Sequence, residues 1–275
     1  MRVELEAVGH LTWDVNDGRA WSPGGSVGFA ARAWRGLGAH ARVVTVVGPD
    51  GPDEPAALVG AGRAKQTTRF ENRYGASGDR VQQVVCQAGP VRPRHRPVSW
   101  ATPAARFLAP VLGEVAAQPW LRLPAGLKVV GLQGWLKRTN DRGQVVHGPM
   151  GVNPRQFRGA DVACLSEEDL AGELGWLDAL LLVVPRVALT RGVQGCVLFE
   201  RYGATRLGVV EVQAVDPTGA GDSFAAGLVM GLVQGMRFGA AARLGAAVAS
   251  VVVERVGPAR PHAFAGVGAR AAAVR

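Results

Sequence analysis

The chain has 275 residues, is 48% hydrophobic and carries 31 Lys and Arg against 22 Asp and Glu, a formal charge of +9. A chain of this size buries roughly three-quarters of its unfolded surface, so a single α/β domain spanning residues 1–275 is expected and no second domain is needed. Its basic residues are almost all arginines scattered singly, with Lys65, Lys128 and Lys137 the only lysines, and no helix-turn-helix, aromatic RNP pattern or zinc spacing accompanies them, which argues against nucleic-acid binding.

In chain order, residues 3–8 read as a strand; Glu4 and Glu6 within it exclude a signal peptide. Residues 24–37 read as a helix rich in small side chains and stopped by Gly36 and Gly38. Residues 42–47 form the next strand. The segments 69–74 and 81–85 suggest a pair of half-exposed strands, and Arg92 to Arg96, interleaved with prolines, an exposed loop. Strand-like runs follow at 106–108, 127–132, 161–165, 188–190 and 196–200, most of them separated by helix-compatible stretches. Such alternation implies a mostly parallel sheet with helices on both faces and ligands at the carboxyl ends of the strands. Residues 209–215 are again β-rich, and 224–233 are apolar and free of proline, so strand, tight turn, helix is the reading there. Residues 239–255 form a helix apolar nearly all round, hence buried, and the low-complexity tail 265–275 is a surface helix or a frayed end. No run of about 18 apolar residues exists to span a membrane. Cys86, Cys164 and Cys196 lack CxxC spacing and suit neither a disulfide framework nor zinc. A cytoplasmic protein without membrane partners is expected.

The most informative segment is Asp216-Pro217-Thr218-Gly219-Ala220-Gly221-Asp222. Glycines let backbone approach a ligand closely, and the first helical turn leaves N–H groups oriented toward an anion. A carboxylate beside such a phosphate cradle repels it, unless its task is to take a proton from an attacking hydroxyl; Asp222 then reads as the base of a phosphoryl transfer. The same residues would also serve as a plain tight turn with a helix cap. Neither the dinucleotide pattern GxGxxG nor the Walker Gly-Lys-Ser/Thr is met.

This heptad resembles the C-terminal signature D-T-x-G-A-G-D of the ribokinase, or PfkB-type carbohydrate kinase, family. A second signature, Pro23-Gly24-Gly25-Ser26-Val27-Gly28-Phe29-Ala30-Ala31, followed by Leu37-Gly38-Ala39 and residues 43–50, lies near the N-terminus, so the resemblance covers essentially the whole chain. It implies a ribokinase-like three-layer α/β/α sandwich, ATP with Mg²⁺, and a polyol or sugar acceptor. The catalytic set it implies is Asp222 with the amides of Gly219, Ala220 and Gly221. Substrate contacts are implied for Asp14, Gly24, Gly25, Ser26, Asn72, Tyr74 and Gln133. Nucleotide contacts are implied for Ser166, Thr190, Arg191, Gly192, Thr218, Gly219 and Gly221. Asp169 is implied as a magnesium contact and Asp216 as a ligand of a monovalent cation. Ser166 and Asp169 stand where the family has Asn and Glu, and they also read as an ordinary helix cap. Asp216 likewise reads as a turn-forming Asp-Pro pair.

The run Glu71-Asn72-Arg73-Tyr74 and the later Gln133-Gly134 resemble the inositol-kinase branch, making myo-inositol the leading acceptor. The short connection between Asp14 and Gly24 implies a reduced lid and weakens any transfer of ribokinase's dimer, so a monomer or a homodimer is expected. Two alternatives stay open: a nucleoside kinase, and a non-catalytic small-molecule sensor built on the kinase fold.

Overall fold

A computed structural model of the chain describes residues 3–16, 18, 20–54, 57–74 and 80–274, and the side chains of Tyr74 and Arg80 lie outside that description. The chain begins β1 (Glu4–Val8), β2 (Thr12–Asn16), β3 (Ser22–Gly24), α1 (Ser26–Gly36), β4 (His40–Val47), β5 (Ala57–Arg63), β6 (Arg69–Tyr74) and β7 (Arg80–Cys86). It continues β8 (Ala105–Leu108), α2 (Ala117–Leu121), β9 (Leu127–Gly131), β10 (Lys137–Thr139), β11 (Val145–His147), β12 (Val162–Ser166), α3 (Glu167–Leu170) and α4 (Leu174–Leu181). The last third holds β13 (Val187–Thr190), β14 (Cys196–Glu200), β15 (Gly203–Leu207), α5 (Ala220–Val233), α6 (Phe238–Val253) and α7 (Val267–Ala273).

Among the described residues, nine strands form the main sheet in the order β15-β14-β13-β12-β9-β8-β1-β4-β5. Pairing is parallel from β13 to β5, and β14 and β15 add an antiparallel edge. The inner strands are covered on both faces, which is why β4 carries a continuous buried run and not an alternating one. One core lies between the sheet, through Leu5, Ala7, Phe107 and Val129, and the helices α1, α5 and α6. A second lies on the opposite face, where Val8, Val44, Leu108 and Val130 meet Trp120 of α2 and Leu177 and Leu180 of α4. This is the expected three-layer sandwich with a mostly parallel sheet.

Two helices position what matters for function. Gly227, Gly231 and Gly245 let α5 and α6 pack backbone to backbone; a Cβ on Gly227 would sit 2.8 Å from the Gly245 Cα. The Trp34 indole of α1 donates to the Ala226 carbonyl of α5 at 2.9 Å. Trp34 is fully buried, and burial of a side chain of that size contributes about 2–3 kcal/mol. The N-termini of α5 and α1 meet where Gly219 lies against the Phe29 ring. No helix among the described residues is long and apolar enough to cross a membrane.

A separate four-stranded sheet, β3-β2-β6-β7, stands over the carboxyl ends of the main strands as a lid. It contains the two half-exposed strands expected at 69–74 and 81–85. The hairpin β10–β11 grips it from below: Gln144 bridges Gln83 of β7, and Val84 donates its N–H to the Gly143 carbonyl at 3.0 Å.

Three expectations need correction. Residues 208–214 are irregular and do not form a strand; they carry the chain from the edge strand β15 back to α5 and pair with no strand of the sheet. Strand β5 was not anticipated; its Gly60 and Gly62 weaken any strand pattern, yet they are required because Pro97 and His95 pack directly onto them. The basic segment 92–96 is docked and not simply solvated. Arg96 Nε lies 2.6 Å from the Glu6 carboxylate, which is fully buried and also takes Arg106 at 2.6 Å.

Candidate active site

After β1 the chain turns to β4 on one side, and β8 and β9 later return on the other, so the strand order reverses between β1 and β8. Loops that part at such a point leave a crevice at the carboxyl ends of the strands. Glu114 spans it. Its carboxylate accepts the N–H of His10 beyond β1 at 2.9 Å, and those of Val111 and Leu112 beyond β8, each at 2.9 Å. His10 is fully buried, its ring bridging the Gly89 carbonyl and the Thr68 hydroxyl at 2.9 Å each.

Asp14 projects from β2, where the Thr12 hydroxyl donates to its carboxylate at 3.0 Å. Gly24 is needed for that carboxylate to fit, since a Cβ there would collide with it. Gly25 caps α1 with φ 88°, and a Cβ would strike the His10 carbonyl. Between these groups lies a small cavity of about 70 Å³, whose polar lining includes Thr12, Asp14, Ser26, Gln82, Gln133 and Lys137.

A larger cavity of about 730 Å³ adjoins it, lined by Ser166 to Asp169, Thr190 to Gly192 and Pro217 to Asp222. Ser166 and Asp169 form a reciprocal cap on α3, with Ser166 N–H to Asp169 Oδ2 at 2.9 Å and Asp169 N–H to Ser166 Oγ at 3.1 Å. Asp169 is 2% exposed, and His147 of β11 sits 3.4 Å from its other oxygen. Burial pushes the Asp169 carboxyl up, but the His147 ring, the Ser166 N–H and the charge of Lys137 outweigh it and hold the group below the usual carboxylate range. Arg191 stands at the far wall, its Nε 3.2 Å from Glu167 Oε2.

The two cavities meet at the start of α5. Ser26, Gln133, Thr218, Gly219 and Asp222 line both. Gly219 is the cap of α5, at φ 80°, and a Cβ there would enter the Phe29 ring. The Asp216 carboxylate accepts the Thr218 N–H at 2.9 Å, and Ala220 donates its N–H to the Pro217 carbonyl at 3.1 Å. Of the three amides expected to form a phosphate cradle, that of Ala220 is thus drawn into the turn that shapes it. The Thr218 hydroxyl is buried and meets no hydrogen-bond partner of the protein. Asp222, in the first turn of α5, presents a carboxylate where a helix N-terminus otherwise favours an anion.

Most residues singled out in the sequence therefore converge on these two cavities. Gly24 instead makes room for Asp14 and lines neither. Asn72 is 1% exposed and spent inside the lid, bonded to Asn16 and Gln82. Asp216 lies off both cavities as a turn-former, and the side chain of Tyr74 is outside the described residues. Sequence reasoning missed Thr12, Gln82, Glu114 and Lys137. Only Lys137 carried a signal, as a lysine in an otherwise arginine-dominated chain, four residues after Gln133.

The profile of the pfkB family carbohydrate kinases matches residues 158–263. Over 71 residues, 26% of this chain, the sequence is 41% identical to inositol 3-kinase of Arabidopsis thaliana, of which that stretch covers 20%. The matched stretch thus spans about a fifth of the length of the curated inositol kinases. Among solved structures the chain is similar to a pyrophosphate-dependent kinase of the ribokinase family complexed with a pyrophosphate analog and myo-inositol (TM-score 0.80, 20% identity, 94% of this chain and 98% of that one). It is also similar to Arabidopsis thaliana ribokinase complexed with ribose and ATP (TM-score 0.71, 16% identity, 98% and 99%). At these identities the likeness establishes the ribokinase fold. The match over residues 158–263 and the ribokinase fold make the chain similar to the PfkB carbohydrate kinases. Within that class its resemblance is to the inositol-kinase branch.

Proposed function

We propose that this chain transfers the terminal phosphoryl group of ATP to a hydroxyl of a small polyol or sugar, with myo-inositol the leading acceptor. The observation that carries the reading is Asp222, a carboxylate lining both the small polar cavity and the large one. Asp14 and Gln133 hold acceptor hydroxyls; the carboxylate of Asp14 suits two hydroxyl donors, each a charge-assisted bond. Asp222 takes the proton of the attacking hydroxyl. Thr218, Gly219 and Gly221 face the transferring phosphoryl, and Arg191 the remainder of the donor.

The residues present fit magnesium. The carboxylates of Glu168 and Asp169 both line the large cavity, and among the described residues no group of three or more His, Cys, Asp or Glu could hold a metal ion by itself. This suits an ion held mainly by donor phosphates and water, with Asp169 and Glu168 as its protein contacts. Such an ion neutralises charge on the donor oxygens. Asp216, committed to its turn, is not carried forward as a cation ligand.

Myo-inositol is supported by the likeness to the inositol kinases and to the structure complexed with that cyclitol. The latter also favours a second reading for the donor, pyrophosphate in place of ATP. The nucleoside alternative is weakened by Trp13, whose indole N–H is spent on the Asp50 carbonyl at 2.6 Å and whose ring lines neither cavity.

The test is product formation over inositols, ketoses, ribose and nucleosides, each with ATP and with pyrophosphate. Turnover of a cyclitol that falls about 10²–10⁴-fold in Asp222→Asn is the expected result. An Asp222→Asn protein as active as wild type overturns the role of the base. Thermal stabilisation by polyol and nucleotide without product would favour the sensor.

A further inference from the structure

We propose that Lys137 is the acceptor-side cation of the transfer site, its ammonium contacting the phosphoryl group as that group passes to the acceptor. This rests on the kinase reading above. Lys137 opens β10, four residues after Gln133, and lines the small cavity together with Asp14 and Asp222. A phosphoryl group entering between two carboxylates needs a positive charge at that point, because its transition state spreads negative charge over three equatorial oxygens. Arg191 lines only the large cavity, where it is paired with Glu167.

The amine is oriented from the lid by a one-way ladder of amides. Lys137 Nζ lies 3.5 Å from Gln82 Oε1 on β7; Gln82 donates to Asn72 Oδ1 on β6 at 3.0 Å; Asn72 donates to Asn16 Oδ1 on β2 at 2.9 Å. Gln82 and Asn72 each present an acceptor toward Lys137 and a donor away from it, and Asn16 ends the ladder as an acceptor. From the other side its charge reaches Asp169, which lines the large cavity, so Lys137 acts on both compartments. An ammonium on a flexible stem, with three rotatable donors, can follow oxygens that move during the transfer. In the step itself the bond from phosphorus to the donor's bridging oxygen breaks and that oxygen keeps the electron pair. The acceptor oxygen bonds to phosphorus, its proton goes to Asp222, and Lys137 stays protonated throughout.

Steady-state kinetics of Lys137→Met and Lys137→Arg, joined to calorimetric titration with inorganic pyrophosphate, test the assignment. Lys137→Met should lower kcat about 10²–10³-fold while acceptor KM moves by less than about fivefold, and Lys137→Arg should recover at least about tenfold of the loss. Pyrophosphate affinity, which needs neither acceptor nor turnover, should fall about tenfold in Lys137→Met, with a shallower salt dependence. If Lys137→Met does not fold, Lys137→Gln carries the same readouts. A raised acceptor KM with kcat intact makes Lys137 a ground-state contact and overturns the proposal. Should the wild type turn over no acceptor, the kinase reading fails by itself. The titration then still decides Lys137, and unchanged pyrophosphate affinity sinks it.

Discussion

Glu114 holds the backbone N–H of His10 across the crevice where the strand order reverses, at 2.9 Å, while the same carboxylate holds Val111 and Leu112 on the other bank. The bank of the small cavity formed by Val111 is therefore fixed by one buried acid and not by packing alone. Glu114→Gln replaces one accepting oxygen with an NH₂ group facing buried N–H donors. The expected cost is about 2–3 kcal/mol, since a buried donor left unmet loses its full desolvation penalty. Urea unfolding measures it, and a variant within about 0.5 kcal/mol of wild type contradicts this account.

Gly219 and Gly221 separate stability from chemistry. Gly219 lies at φ 80° with the Phe29 ring where a Cβ would go, so Gly219→Ala should cost about 1–2 kcal/mol for the left-handed backbone and more for the collision. A Cβ on Gly221 meets nothing within 4 Å, yet this residue lines the large cavity. Gly221→Ala should keep the wild-type melting temperature and lower the rate of transfer. Equal melting temperatures for the two variants would contradict the local geometry.

The strands that the sequence made legible are those whose environment is uniform. Residues 42–47 read as a strand because their run of valines suits a strand buried on both faces, and the Gly-rich turn before α5 announces itself because only small residues can form it. The misreadings share one cause, that the deciding contact is distant in sequence. Gly60 and Gly62 hide β5 because their partners are Pro97 and His95, and the β-rich composition of 209–215 makes no strand because the segment pairs with none. Glu114 and Lys137 escaped notice for the same reason: a lone acid or lysine gains meaning only from the loops that fold around it.

Asp50 couples the main sheet to the lid. Its carboxylate accepts the N–H and the hydroxyl of Thr67, each at 3.1 Å, and pairs with Arg69, while its carbonyl takes the Trp13 indole at 2.6 Å. Burial pushes this carboxyl up, but the Thr67 and Arg69 hydrogen bonds together outweigh it and hold it below the usual range. The Arg69 pair is a third exposed and contributes little, so the Thr67 bonds carry most of the attachment. Asp50→Ala should loosen the lid strands, raising acceptor KM about tenfold with a smaller change in kcat. A shift in acceptor KM below about twofold would show the lid to be held elsewhere.

Asp169 gives a pH signature with a defined sign. Its folded carboxyl lies below the ordinary value of 3.8, so the stability it contributes is fully present above about that pH and is lost as pH falls through the folded value. Asp169→Asn removes the charge that faces His147 and Lys137 and weakens the cap on α3, a loss of at least about 1 kcal/mol at neutral pH from the cap alone. The gap between wild type and variant should narrow as pH falls below about 4, because the protonated wild-type side chain then resembles the amide. Denaturant midpoints taken across that range measure it. A gap that widens as pH falls below about 4 would mean that burial, and not the surrounding donors and cations, governs this carboxyl, and would remove Asp169 from the set able to stand beside a magnesium ion.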